Sequence, residues 1–129
     1  MPIVTDFKLP ASTGALALPG QSSAAIFIAF ITADDPHTNQ PWCPDVRAAL
    51  PYIKAAFSAD SAPDLAFVSV GQIPEWKDKS NVYRTKWNVH NVPTVVRFEA
   101  VSGVVKETGR LVEGEILNEK KLSNFIRGQ

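Results

Sequence analysis

The sequence contains a single cysteine, Cys43, and this scarcity excludes an internal disulfide. A secreted fold that depends on several disulfides is therefore excluded as well. The apolar runs are all shorter than the roughly 20 residues that a membrane-spanning helix needs. The N-terminus also lacks the charged and apolar segments that are typical of a signal peptide. These absences predict a cytoplasmic protein that has no membrane partner.

The chain also lacks an excess of charge, because 13 lysine and arginine residues balance 13 aspartate and glutamate residues. A nucleic-acid partner would require a basic stripe, and none is visible, so we expect no nucleic-acid binding. The spacing of His37, Cys43 and His90 fits no zinc pattern. We therefore expect neither a bound metal nor a bound cofactor.

The order of apolar segments predicts one α/β domain over residues 1–129, with a central mixed sheet of about four to five strands flanked by helices. An N-terminal extension with the first strand occupies residues 1–23. The predicted strands are 3–9, 24–32, 64–70, 94–99 and 104–111. The predicted helices are 11–18, 43–58 with a kink at Pro51, 78–86 capped by Asp78, and a last helix after Asn118. Polar loops are predicted at 33–41 and 71–76, and a turn at 100–103.

Cys43 lies at the point where a buried strand and a polar loop lead into the helix of residues 43–58. Unpaired backbone N–H groups at a helix start, together with the helix dipole, favour a thiolate over a thiol. Pro44 suits the first helical turn, where no backbone N–H is needed. The alternative is an inert buried cysteine, and the position at the helix start favours the reactive form.

Three blocks of the sequence resemble one known family. Residues 42–46 (WCPDV) resemble the WCPDC active-site motif of the thioredoxin-like proteins called thioredoxin domain-containing protein 17, or Clot-type. Residues 70–78 (VGQIPEWKD) resemble that family's VGxxPxWKD segment. Residues 89–94 (VHNVPT) are similar to the VxxVPT segment that carries the thioredoxin cis-proline. The three blocks follow the family's order and extend the match over roughly residues 24–127.

The resemblance implies a thioredoxin fold and a dithiol oxidoreductase that reduces small disulfides and some protein disulfides. It identifies Cys43 with the nucleophile that attacks the substrate disulfide. Val46 departs from the family pattern, because it occupies the position of the resolving cysteine. The other matched positions, which the resemblance assigns to substrate binding, are Trp42, Pro44, Asp45, Val92, Pro93 and Thr94.

Because Val46 carries no thiol, we predict an oxidoreductase that works through Cys43 alone and forms mixed disulfides. An external thiol such as glutathione would resolve them, and a thioredoxin reductase system is a second possible electron donor. The expected partners are small disulfides and proteins that contain a disulfide or a cysteine. We expect a monomer, with a Cys43-linked dimer as an alternative. Two other functions stay open: a redox-inactive binding protein, and a sensor whose cysteine is glutathionylated or oxidised.

Three candidate residues also have purely structural interpretations. Asp45 either complements the helix dipole or adds negative charge that disfavours the Cys43 thiolate and repels acidic substrates. Trp42 either belongs to the core or forms a partner-contact surface at the loop rim. Val46 is the first member of the apolar stripe of its helix, so packing alone also explains it.

Overall fold

The computed structural model describes residues 3–4, 7–16 and 25–128. The strands in these residues are β1 (Ile3–Val4), β2 (Ile26–Ile31), β3 (Asp34–Asp35), β4 (Gln40–Pro41), β5 (Asp64–Ser69), β6 (Thr94–Val101) and β7 (Val104–Val112). The α-helices are α1 (Pro44–Ala56), α2 (Ile73–Lys77), α3 (Val82–Lys86) and α4 (Glu119–Arg127), and 3-10 turns lie at Thr13–Ala15 and Glu113–Leu117.

The longest apolar run becomes the centre of a five-stranded sheet with the order β1-β5-β2-β6-β7. β2 pairs in parallel with β5 on one side and antiparallel with β6 on the other, so the sheet is mixed. Five of the six residues of β2 are buried, because helices cover both of its faces. This arrangement confirms the predicted α/β architecture. The strand ends agree with the prediction within two residues for all but the first strand, and residue 24 lies outside the described residues.

Alternation along β2 divides the interior into two apolar clusters on opposite faces of the sheet. We call them the first core and the second core. The first core contains Ile28, Phe30, Val46, Val70, Trp76, Trp87, Val89, Val92 and Phe98, among others. The second core contains Phe27, Ala49, Ile53, Phe57, Leu65, Val95, Leu111, Ile116, Leu122 and Phe125, among others. α1 belongs to both, because it gives Val46 to the first core and its later turns to the second.

The sequence prediction differs from the structure over residues 71–86. Residues 71–76, predicted to be a loop, contain most of α2. The prediction that Asp78 caps the following helix is wrong, because Asn81 is the N-cap of α3 and its Oδ1 accepts a hydrogen bond from the Arg84 backbone N–H at 3.0 Å. Asp78 instead ends α2, and its Oδ1 accepts from the backbone N–H of Ser80 at 2.9 Å.

Two shorter segments differ as well. Within the predicted strand 3–9, Ile3 and Val4 form β1, residues 7–9 have no regular structure, and residues 5–6 lie outside the described residues. The predicted helix 11–18 is reduced to one 3-10 turn that contains Gly14, a poor helix former, and residues 17–18 lie outside the described residues. The predicted turn 100–103 shrinks to Ser102 and Gly103. Their φ angles of 53° and 80° are both positive, as a tight two-residue hairpin turn requires.

The helices are short in the described part of the chain. None of them combines the length and the apolar character that crossing a membrane would require.

Candidate functional site

Cys43 is the N-cap residue of α1, as the sequence predicts for a cysteine at a helix start. Its φ of −88° and ψ of 122° are extended, and the Arg47 backbone N–H donates to its carbonyl at 3.1 Å. The thiol is free and half-buried, and its Sγ lies 3.9 Å from the Val92 carbonyl oxygen. The thiol therefore lies at the N-terminal end of a helix and remains partly accessible to a reacting molecule.

The two residues after the cysteine form the exposed first turn of α1. Pro44 is exposed and occupies a position where its missing N–H costs no hydrogen bond. Asp45 is also exposed and is the acidic residue of this turn, where its charge complements the helix dipole. Within the described residues, no cation lies at ion-pair distance from the Asp45 carboxylate. Its negative charge is therefore presented to any molecule that approaches Cys43.

Val46 lies three residues after Cys43 and is 0% exposed. Its side chain belongs to the first core, against which Cys43 itself packs. Position 46 thus faces the protein interior, and the sequence offers no other cysteine. A mixed disulfide at Cys43 would therefore find no second thiol within this sequence to resolve it.

Trp42 is half-buried and fixed by hydrogen bonds at both its backbone and its side chain. Its indole Nε1–H donates to the Gly71 carbonyl at 2.9 Å, and its backbone N–H donates to the Ala33 carbonyl at 3.2 Å. The Gly71 carbonyl also accepts from the Ala33 N–H at 3.1 Å, and Gly71 has a φ of +91° that favours glycine. These bonds hold the indole at the edge of the first core, directly before Cys43.

The residues predicted to face the cysteine form the entry to β6. The Val92–Pro93 peptide bond is cis, and the Pro93 carbonyl accepts from the backbone N–H of Glu113 at 2.9 Å. Thr94 is 1% exposed, and its hydroxyl donates to the Asn91 carbonyl at 2.7 Å. The structure therefore brings the Val92 carbonyl to Cys43, whereas the Thr94 side chain closes its own turn inside the protein.

Three residues of this region were not among the sequence-predicted site residues. Gly71 supplies the carbonyl that holds Trp42, and Arg47 donates from Nη1 to the Pro41 carbonyl at 2.6 Å. Thr32 is 2% exposed, and its hydroxyl has no hydrogen-bond partner within the described residues. The sequence signals for these residues are weak: a glycine after a strand, an arginine four residues after a cysteine, and a threonine that ends an apolar run.

The described residues contain no group of three or more histidine, cysteine, aspartate or glutamate side chains placed to hold a metal ion. His90 uses its Nε2 in a 2.8 Å contact with Asn88, and the His37 backbone N–H donates to Asp35. Neither histidine belongs to such a group within the described residues.

Comparison with known proteins identifies the family. Residues 9–127 match the family model described as thioredoxin domain-containing protein 17-like, thioredoxin domain. This chain belongs to that family. It is 38% identical over 101 residues to a thioredoxin domain-containing protein of Schizosaccharomyces pombe, covering 78% of this chain and 82% of the relative. It is 28% identical over 98 residues to human thioredoxin domain-containing protein 17, covering 75% and 74%. It is 33% identical over 79 residues to the thioredoxin-like protein Clot of Arabidopsis thaliana, covering 59% of each chain.

Two solved structures show the fold. A thioredoxin from Thermus thermophilus superposes with a TM-score of 0.54 at 18% identity, covering 81% of this chain and 72% of that one. The thioredoxin of Trichomonas vaginalis gives 0.51 at 14% identity, covering 82% and 79%. The predicted thioredoxin fold and the predicted family are thus confirmed. Family membership supports a thioredoxin-like redox role in general.

Proposed function

We propose that this protein is a thiol–disulfide oxidoreductase that works through Cys43 alone. The proposal rests on the nature of two residues at the start of α1, Cys43 and Val46. Cys43 is a free, half-buried thiol at the helix N-cap, and Val46, which occupies the position of the second cysteine of the family motif, is a fully buried valine.

The first step is attack by the Cys43 thiolate on one sulfur of a partner disulfide. A new S–S bond forms between Cys43 and that sulfur, the partner's S–S bond breaks, and the other sulfur leaves as a thiolate. The half-buried sulfur is partly accessible, so a partner disulfide can reach it. When the partner is a glutathionylated protein, Cys43 becomes glutathionylated and the partner regains its thiol.

The second step needs an external thiol, because position 46 supplies none. A glutathione thiolate attacks the mixed disulfide, Cys43 leaves as a thiolate, and oxidised glutathione is released. Over both steps one glutathione is oxidised for each partner thiol regenerated, and the enzyme is unchanged. A thioredoxin reductase system is the alternative electron donor for the same step.

The contact surface for the partner would consist of the residues around the sulfur. Trp42, which directly precedes Cys43, is held in place by its hydrogen bond to Gly71. The exposed Pro44 and Asp45 follow Cys43 in the first turn of α1. Val92, whose carbonyl oxygen lies 3.9 Å from Cys43 Sγ, and the neighbouring Pro93 form another part of this surface. This surface would take small disulfides and extended segments of cysteine-containing proteins. A cytoplasmic location, with its pool of reduced thiols, fits such a cycle.

Val46 also favours a second function. Without a resolving thiol, a mixed disulfide at Cys43 can persist, and the protein would then act as a sensor or as a binding protein that captures its partner. The two functions share the first step and differ in whether the adduct is released.

The test is reduction of a glutathionylated peptide in the presence of excess glutathione, followed by the formation of oxidised glutathione. We expect turnover by the unaltered protein above the rate of the Cys43→Ser variant. A stable adduct without turnover would favour the sensor. Equal rates for the two proteins and no adduct would refute the proposed chemistry.

A further inference from the structure

Arg47 is the cationic residue nearest in sequence to Cys43, and two hydrogen bonds tie it to the segment that carries Cys43. It follows Cys43 by four residues, and its backbone N–H donates to the Cys43 carbonyl at 3.1 Å. Its side chain turns back along the loop, where Nη1 donates to the carbonyl of the buried Pro41 at 2.6 Å. The guanidinium is therefore anchored next to a residue that precedes Cys43 by two positions.

The rest of this guanidinium is available to a ligand. Arg47 is exposed, and a guanidinium carries five N–H donors in a planar fork. Its hydrogen bond to Pro41 goes to an uncharged carbonyl, and within the described residues no carboxylate lies at ion-pair distance from it. The anchored side chain also has less conformational entropy to lose when it binds a ligand.

The other charged side chains of the chain segment that contains Cys43 are negative. Residues 34–47 contain Asp34, Asp35 and Asp45, and Arg47 is the single lysine or arginine in this segment. His37 is the remaining titratable base, and its backbone N–H donates to the Asp35 carboxylate. Among the charges of this segment, the anchored Arg47 would therefore attract a negatively charged molecule, whereas the three aspartates would repel it.

We propose that Arg47 is a specificity-determining residue that recognises a carboxylate of the thiol or disulfide reacting at Cys43. The inference rests on the proposed function and deepens it, because it gives the substrate class: small thiols and disulfides that carry a carboxylate, of which glutathione is the type. A guanidinium matches a carboxylate in geometry as well as in charge. Asp45 acts in the opposite direction and disfavours the same substrates.

The first experiment measures second-order rate constants of Cys43 with three disulfides of different charge. These are anionic oxidised glutathione, uncharged hydroxyethyl disulfide and cationic cystamine. In Arg47→Gln we expect the anionic-to-cationic rate ratio to fall roughly fivefold, and the fall should shrink at high salt. Lys106→Gln, which removes the same charge from an exposed position of β7 opposite Glu99, is the matched control and should leave the ratio unchanged. Asp45→Asn should raise the ratio.

The second experiment removes disulfide chemistry from the test. Cys43 is alkylated with iodoacetate, which carries a carboxylate, and with uncharged iodoacetamide. Arg47→Gln should lower the iodoacetate-to-iodoacetamide rate ratio, and Arg47→Lys should retain part of it. Equal slowing with every reagent would overturn the inference, because it would show that Arg47 only braces the Pro41 loop. In another outcome, Cys43 reacts with none of the disulfides while iodoacetate still reacts faster relative to iodoacetamide in the unaltered protein than in Arg47→Gln. That result would refute the proposed function but support carboxylate recognition by Arg47.

Discussion

The first core and the second core lie on opposite faces of one sheet and differ in what they contact. The second core holds α1 and α4 against the sheet through phenylalanines: the ring of Phe27 meets those of Phe57 and Phe125 edge-on, each with centroids 5.2 Å apart. The first core instead borders the candidate site, because Trp42 and Cys43 pack against it.

Because of this difference, one end of α1 contributes mainly to the chemistry at Cys43 and the other end mainly to the stability of the fold. The start of α1 presents Cys43 and sends Val46 into the first core, whereas Ile53 and Phe57 at its far end belong to the second core. Changes at the far end should therefore alter the free energy of unfolding and leave the chemistry alone. Changes at Cys43 should alter the chemistry, and changes at the buried Val46 should alter the free energy of unfolding as well.

The largest expected effect is on stability, from Phe57→Ala in the second core. Phe57 is 0% exposed, and deleting a buried phenylalanine ring costs about 3–5 kcal/mol through lost burial and the cavity left behind. Urea unfolding measures this loss. The rate of Cys43 alkylation in the folded protein should stay within about twofold of the unaltered rate, and a much larger change would show that the two ends of α1 are coupled.

The next largest effect is on turnover, from Val46→Cys. Residues three apart at a helix start are neighbours, so a thiol at position 46 can attack a mixed disulfide at Cys43 without waiting for an external thiol. We expect disulfide reductase turnover to rise roughly tenfold or more. The free energy of unfolding of the reduced protein should change by less than about 1.5 kcal/mol, because cysteine fills the same site as a small hydrophobe.

Val46→Ala is the matched control for that gain, because it alters the packing at position 46 without adding a thiol. Its turnover should not rise. If Val46→Cys forms an internal disulfide yet gains no turnover, the missing thiol is not what limits this protein.

A smaller effect on stability is expected from Thr32→Val at the edge of the first core. By the alternation of β2, Thr32 lies on the same face as Phe30, and its buried hydroxyl has no partner within the described residues. Replacing it by a methyl group removes the desolvation cost, so the free energy of unfolding should rise by about 1 kcal/mol. Chemical denaturation measures the change. A loss of more than about 1 kcal/mol would instead show that the hydroxyl is hydrogen-bonded in solution.

The smallest expected effect is on the pH dependence of stability, and it comes from Asp78, which lies outside both cores. Hydrogen bonds from the side chain and the backbone N–H of Ser80 hold the pKa of Asp78 below its ordinary value of 3.8. A carboxyl whose pKa is lower in the folded state adds stability above the unfolded pKa, and this stability is lost as the pH falls through the folded value. Asp78→Asn should therefore lower the urea midpoint slightly at pH 7 and by less at about pH 3.

Asp60→Asn provides the control for Asp78, because Asp60 is exposed and makes no side-chain hydrogen bond within the described residues. It should show no such pH-dependent difference. The effect at Asp78 is small because the carboxyl is fully exposed and water screens it.

Local sequence patterns predict the parts of the fold that local physics determines. The apolar runs of β2 and β5 read as buried strands, and Asn118 reads as the cap of α4, where its Oδ1 accepts from the Lys121 N–H at 3.0 Å. The error at Asp78 has a local cause as well, because both Asp78 and Asn81 are good caps and only the folded chain selects between them.

The contacts of the site could not be read from the sequence, because they join distant segments. Trp42 and Gly71 are 29 residues apart, and Cys43 and Val92 are 49 residues apart. The family resemblance indicates that the Val92 segment faces the cysteine, but neither periodicity nor composition does. The turn of the Arg47 side chain towards Pro41 is likewise a property of the folded loop.

The most direct test of the account is the intact mass of the protein through one cycle at Cys43. The protein is first treated with oxidised glutathione and then with excess reduced glutathione. We expect one added glutathionyl group, absent in Cys43→Ser, that is fully removed in the second step. An unaltered protein that gains no glutathionyl group, or that keeps it after excess glutathione, would contradict a monothiol cycle at Cys43.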